Sequence, residues 1–216
     1  MIRHVLAPVL PPAAHALELA RTVHGVDGVV LTFDDGPHPE GTPAVLEVLA
    51  AADARAMFFV VGEQVQRRPG LAAEIVDQGH VIALHAFRHQ LQLRLGAREV
   101  EADIARGAAT IYEATGVEPH WHRPPYGIYS PVGLRATRAA GLKPLLWSKW
   151  GKDWRKFTTP ARIAARSTRG LSAGDVVLLH DADHYSSRGS HRRTAAALET
   201  IVTQLQAQEL DTVLPV

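Results

Sequence analysis

The sequence predicts an α/β domain built on a largely parallel sheet. Three observations carry this. Short apolar runs rich in Val, Leu and Phe alternate with longer stretches of helical period. Gly and Pro punctuate the junctions. Ionisable residues collect directly after the apolar runs, as they do where parallel strands end on a common face. Seven or so strand–helix units suit a closed or nearly closed barrel; periodicity alone does not separate that from an open doubly wound sheet.

Residues 1–27 read as a lead-in segment, helical from Ala13 to His24, ahead of a main domain spanning 28–216. Arg3, the apolar stretch Val5–Leu10 and Ala14-His15-Ala16 follow the order of a signal peptide. Pro8, Pro11 and Pro12 interrupt that stretch, so the expected location is cytoplasmic, with secretion as the alternative. Val29–Phe33 reads as a buried strand running into Asp34 and Asp35 and stopped by Gly36-Pro37. Thr42 and Pro43 suit the N-cap and first position of a helix reaching about Ala52. Ala56–Val61 is a second strand, Gly70–Gln78 a short helix closed by Gly79, and His80–Leu84 a third strand. Arg98–Thr115 is a long helix with Val100, Ile104, Ala108 and Ile111 on one face, closed by Gly116. Ser130–Ala140 is a helix closed by Gly141. Leu142–Trp147 and Asp175–Leu179 are strands, Ser190–Gln208 a helix and Thr212–Val216 a last strand.

Composition narrows the function. A chain of 216 residues can bury one substantial core. A net charge of +1 offers no strong field for nucleic acid, so no nucleic-acid partner is expected. No apolar run approaches the roughly 20 residues of a membrane span. With no cysteine, thiolate metal sites and a Cys nucleophile are excluded. Twelve histidines is the unusual count, and several stand at the ends of apolar runs.

Chemistry collects at those ends. An isolated Asp pair is most often a surface turn, but Asp34 and Asp35 follow a buried strand. His85 and His89 are four apart; on a helix both imidazoles would share one face and could bind one ion. Two His nitrogens and the Asp35 carboxylate make a metal set for zinc, with cobalt, manganese or nickel also accepting it. The order is not HExxH, so the zincin signature is absent. Asp34, beside a metal-ligating Asp35, suits a general base. His180, directly after Val176–Leu179, suits a general acid. Arg123, stiffened by Pro124 and Pro125, would orient Asp34. Trp154 reads either as core or as an aromatic wall for a sugar ring.

Together these groups resemble the polysaccharide deacetylase family, the NodB-homology domain of carbohydrate esterase family 4, from about Val29 to the C-terminus. Thr32-Phe33-Asp34-Asp35-Gly36-Pro37 matches its first motif closely, and His85 and His89 match the two histidines of the second. Arg123-Pro124-Pro125-Tyr126-Gly127, Asp153-Trp154 and Leu178-Leu179-His180-Asp181 are similar to the third, fourth and fifth. The resemblance implies a distorted (β/α)7 barrel and hydrolysis of N-acetyl groups on an amino sugar such as a chitooligosaccharide or peptidoglycan. It implies Asp34 as base, Asp35, His85 and His89 as metal ligands, and His180 as acid supported by Asp153. It further implies that Arg123 orients the base, that Pro125, Tyr126, Trp154 and Leu178 meet the substrate, and that the Tyr126 N–H helps hold the oxyanion. Three positions depart from the family: Ala86 and Arg88 stand where Ser or Thr usually braces the metal loop, and Leu84 stands where Asn is frequent. A small amino-sugar intermediate, O-deacetylation of a xylan-like glycan, and an inactive carbohydrate-binding member are the alternatives.

Overall fold

The computed structural model describes residues 1–215. Its strands are β1 (Gly28–Asp34), β2 (Ala56–Val60), β3 (Val81–Leu84), β4 (Trp121–His122), β5 (Lys143–Pro144), β6 (Lys149–Trp150), β7 (Val176–His180) and β8 (Asp211–Thr212). Its helices are α1 (Ile2–Leu6), α2 (Pro11–His15), α3 (Gly41–Ala51), α4 (Gly62–Arg67), α5 (Pro69–Asp77), α6 (Ala97–Thr115), α7 (Pro131–Ala139), α8 (Pro160–Thr168) and α9 (Ser190–Ala207). The sheet order is β5-β4-β3-β2-β1-β7-β6, with β8 beside β1, and every one of these pairings is parallel. The seven strands curl into a half-barrel wrapped by helices.

Alternation along the strands builds two apolar layers. Leu31, Phe33 and Phe58 face the helices and pack with Ile104 and Leu198. Val30, Met57, Phe59 and Leu178 face the concave side and pack with Tyr129 and Trp147. Ala7, Ala14 and Leu19 join that inner layer. The Leu146 N–H donates to the Ala20 carbonyl at 2.8 Å and the Val23 N–H to the Gly174 carbonyl at 2.8 Å. Ala20 thus bridges to Leu145, beside the open edge between β5 and β6. Among the described residues no helix is long and apolar enough to cross a membrane.

The elements differ from the sequence expectations where local signals compete. Of the expected Ala13–His24 helix only Ala13–His15 is helical, as the end of α2, because the chain then turns and bridges to the sheet at Ala20 and Thr22. Thr42 does not cap α3; its hydroxyl accepts from the His38 N–H at 2.7 Å and donates to the Asp181 carboxylate. The expected Leu142–Trp147 strand is reduced to β5, and β6 forms after it. α4 and α8 were not expected. The latter has only a narrow buried face (Ile163, Ala164 and Ser167), although Thr159 caps it. The last strand is Asp211–Thr212, and Val216 lies outside the described residues.

Candidate active site

Asp34 closes β1 and Asp35 follows with φ +81°. Asp tolerates this left-handed conformation, which brings two successive carboxylates to one cleft although a continued strand would point them apart. Asp34 is 3 % exposed. Arg123, fully buried, donates from Nη1 to Asp34 Oδ1 at 2.6 Å and to Thr32 Oγ1 at 2.9 Å. Its Nε and Nη2 donate to the Leu145 and Leu146 carbonyls at 3.0 and 2.9 Å, and its guanidinium lies 4.0 Å from the Phe59 ring centre.

Asp35, His85 and His89 converge, with one ligand atom from each within 4.8 Å of the others. His85 Nδ1 sits 2.8 Å from the Arg123 carbonyl, which fixes the proton there and leaves the Nε2 lone pair 3.5 Å from Asp35 Oδ1. His89 Nε2 is 3.2 Å from the same oxygen. Asp35 Oδ1 is buried without a hydrogen-bond partner. Burial pushes the Asp35 carboxyl up, but the contacts with His85 and His89 and the charge of His180 outweigh it. The group is held well below the usual carboxylate range. Lone pairs of two imidazoles and a carboxylate facing one point fit a divalent ion of the zinc type.

The loop carrying both histidines is not helical, so their convergence does not come from sharing a helix face. Ala86, at φ +67°, breaks any helix there. Neither Ala86 nor Arg88 offers a hydroxyl brace. Asp103 of α6 does that work, accepting from the Phe87 and Arg88 N–H groups at 2.9 and 3.0 Å, while the Arg106 guanidinium lies 3.7 Å over the Phe87 ring. Gly62 and Gly107 let α4 and α6 close on the loop. A Cβ at Gly107 would lie 3.1 Å from the Phe87 nitrogen, and one at Gly62 the same distance from Phe87 Cα.

Beside Asp34, His180 ends the adjacent strand β7 in register with it. Buried Asp153 accepts from the His180 N–H at 2.7 Å, faces His180 Nδ1 at 2.8 Å, and accepts from Thr194 Oγ1 at 2.8 Å. Burial lowers the His180 pKa, but Asp153, then Asp35 and Asp34, raise it to about 10. Asp181, next in the chain, is pushed up to about 7 by burial, against its Thr42 hydrogen bond and with the charge of Asp35.

The cleft holds about 250 Å³. Asp34, Asp35, His85, His89, Tyr126, Trp154, Leu178 and His180 line it, as the sequence motifs implied. Arg123, Asp153 and Pro125 do not. All three are buried behind the wall: Arg123 and Asp153 touch Asp34 and His180, and Pro125 opens the turn that carries Tyr126. Gly127 of the third motif also lines it, and Trp147, Trp150, Tyr185 and Ser186, which no motif contains, complete the lining. The Trp147/Trp150/Trp154 spacing directly after a strand was the available signal for two of them.

A second histidine cluster joins the β1–α3 and β7–α9 loops. His38 lies between His184 and His191, with ring centres 4.9 and 4.3 Å away. His38 Nδ1 accepts from the Gly41 N–H at 2.9 Å, so the proton stands on Nε2, 3.3 Å from Asp183 Oδ1. His38 therefore presents a donor there, not a lone pair for an ion.

Comparison with known proteins agrees with this geometry. The family model described as polysaccharide deacetylase matches residues 23–145. A peptidoglycan-N-acetylglucosamine deacetylase of Bacillus cereus is 35 % identical over 182 residues, covering 83 % of this chain and 82 % of that protein. A chitooligosaccharide deacetylase of Sinorhizobium fredii is 36 % identical over 199 residues, covering 88 % and 92 %. The chain spans about a third (36 %) of the length of the Listeria monocytogenes peptidoglycan-N-acetylglucosamine deacetylases, at 33 % identity over 83 % of its own length. The crystal structure of the Bc1960 peptidoglycan N-acetylglucosamine deacetylase superposes with TM-score 0.84 at 26 % identity, covering 93 % of this chain and 92 % of that one. By its motifs, its half-barrel and these relatives, the chain belongs to the polysaccharide deacetylase family.

Proposed function

We propose that this chain is a metal-dependent hydrolase that removes N-acetyl groups from an amino-sugar substrate, as the names of its relatives describe for them. The observation that carries the reading is the pairing of two buried ion pairs, Arg123–Asp34 and Asp153–His180, in the same cleft as the Asp35/His85/His89 triad. Asp35 Oδ1, His85 Nε2 and His89 Nε2 would hold the ion, which supplies Lewis acidity toward the acetyl carbonyl and the attacking water.

Each remaining step belongs to a residue of the chain. Asp34, held by Arg123 through Oδ1, has Oδ2 left to accept the proton of the attacking water. The Tyr126 N–H, at a turn with φ 63°, donates to the developing oxyanion. His180 carries a proton at neutral pH and gives it from Nε2 to the departing amine, because Asp153 engages Nδ1. Trp154, edge-on to His180 with ring centres 5.9 Å apart, and Leu178 wall the acetyl end. A cleft of about 250 Å³ has room for a group the size of one sugar unit.

The test is acetate release, with and without chelator, from N-acetylglucosamine, chitooligosaccharides, peptidoglycan fragments, UDP-N-acetylglucosamine and acetylated xylan. Chelator-sensitive release from an N-acetylated member supports the proposal. Release from xylan alone would make the chain an O-acetyl esterase. No release from any, with metal bound, would point to a binding protein.

A further inference from the structure

The two histidines of the triad are oriented by different means. His85 is fixed by its Nδ1 hydrogen bond to the Arg123 carbonyl. His89 Nδ1 is buried and has no partner. Metal-ligating histidines almost always donate their second ring nitrogen to an outer acceptor, which sets the ring's orientation. What touches the His89 ring instead is aromatic. Tyr185 lies flat against it, centres 4.0 Å apart and planes 7° from parallel. Tyr126 meets it edge-on at 4.9 Å and 69°.

Tyr185 is itself tethered. Its hydroxyl donates to Glu63 Oε1 at 2.8 Å and accepts from Gln64 Nε2 at 3.1 Å. Gln64 is 2 % exposed, and both anchors stand in the first turn of α4, the helix that closes on the metal loop through Gly62. Ring, tether and loop therefore form one rigid unit. A stacked ring constrains tilt, as a hydrogen bond would.

We propose that Tyr185 is a positioning residue that holds His89 in its ligating orientation, replacing the hydrogen bond that Nδ1 lacks. This rests on the metal reading of Asp35, His85 and His89. Tyr185 belongs to none of the five motifs and lies on the β7–α9 loop, so this chain's ion affinity is set partly from outside them.

The experiment measures Zn²⁺ affinity directly, by competition with a chromogenic chelator, in wild type, Tyr185→Phe and Tyr185→Leu. The visible spectrum of the Co²⁺-loaded proteins reports ligand geometry, and thermal unfolding of the metal-free proteins checks that each is folded. Tyr185→Leu is expected to weaken Zn²⁺ about 10–100-fold, the range for lost outer support of a ligand, and to change the Co²⁺ spectrum. Tyr185→Phe keeps the ring and is expected to stay near wild type in both. Equal affinity in wild type and Tyr185→Leu would overturn the proposal, as would an equal loss in Phe and Leu, which would put the effect in the hydroxyl. Wild type that binds no Zn²⁺ would overturn the metal reading itself.

Discussion

Replacing Arg123 by methionine tests the buried pair at the heart of the cleft. Met fills much of the volume and keeps contact with Phe59 and Trp147, so packing is largely preserved. What is lost is the cation. Asp34, 3 % exposed, is left without its 2.6 Å partner, and the Thr32 hydroxyl and the Leu145 and Leu146 carbonyls lose a donor each. Breaking one side of a buried pair costs about 3–5 kcal/mol. At about 2–4 °C per kcal/mol for a chain of this size, Tm falls by about 6–20 °C. Scanning calorimetry at neutral pH measures this. The double variant Arg123→Met/Asp34→Leu removes both charges and is expected to recover part of the loss, leaving the carbonyls unpaired. A single variant melting within about 2 °C of wild type would refute the argument, because a buried carboxylate cannot lose its partner that cheaply. A double variant no more stable than the single would refute the coupling.

Other outcomes follow from the same geometry. Asp34→Asn keeps ion affinity but lowers turnover by about 10²–10⁴-fold, checked by acetate release beside a metal titration. Because His180 must carry a proton to serve as acid, kcat/KM should fall as pH rises through about 10. In Asp153→Asn this limb moves to lower pH, since the largest raising influence is gone. Asp181 has a folded pKa raised from 3.8 to about 7, so its contribution is fully present below 3.8 and is lost as pH rises to about 7. Asp181→Asn should flatten that stretch of a stability–pH curve measured by urea unfolding. A divalent ion at 100 times its Kd adds about 2.7 kcal/mol, so chelation should lower Tm by about 5–11 °C.

The strand ends were legible because a β-branched or aromatic run followed by a carboxylate or imidazole is a local pattern. Asp34, His85 and His180 needed no tertiary information. The His85–His89 loop was not legible as built. Spacing by four suggested a helix, whereas Ala86 takes a left-handed turn that only the clamp of α4 and α6 makes worthwhile. Its brace was invisible for the same reason. Asp103 stands among charged residues on an amphipathic helix, where an acidic side chain reads as solvated. Tyr185 escaped because nothing in a loop sequence signals stacking on a ring 96 residues away (185 − 89).

Asp34 and His180 are register partners on adjacent parallel strands. The backbone separation of the proposed base and acid is therefore a lattice constant of the sheet, about 4.8 Å per strand step, and Arg123 and Asp153 set only the orientation of the two side chains. The rim that carries Trp154 hangs on the segment between β6 and α8. Such a molecule separates two evolutionary problems: the reaction coordinate is frozen into main-chain hydrogen bonding, and the choice of sugar is written on replaceable edges. Grafting the Trp154–Phe157 segment from a relative, with Asp153 kept, should accordingly change which saccharide is accepted while leaving the pH profile of turnover where it was.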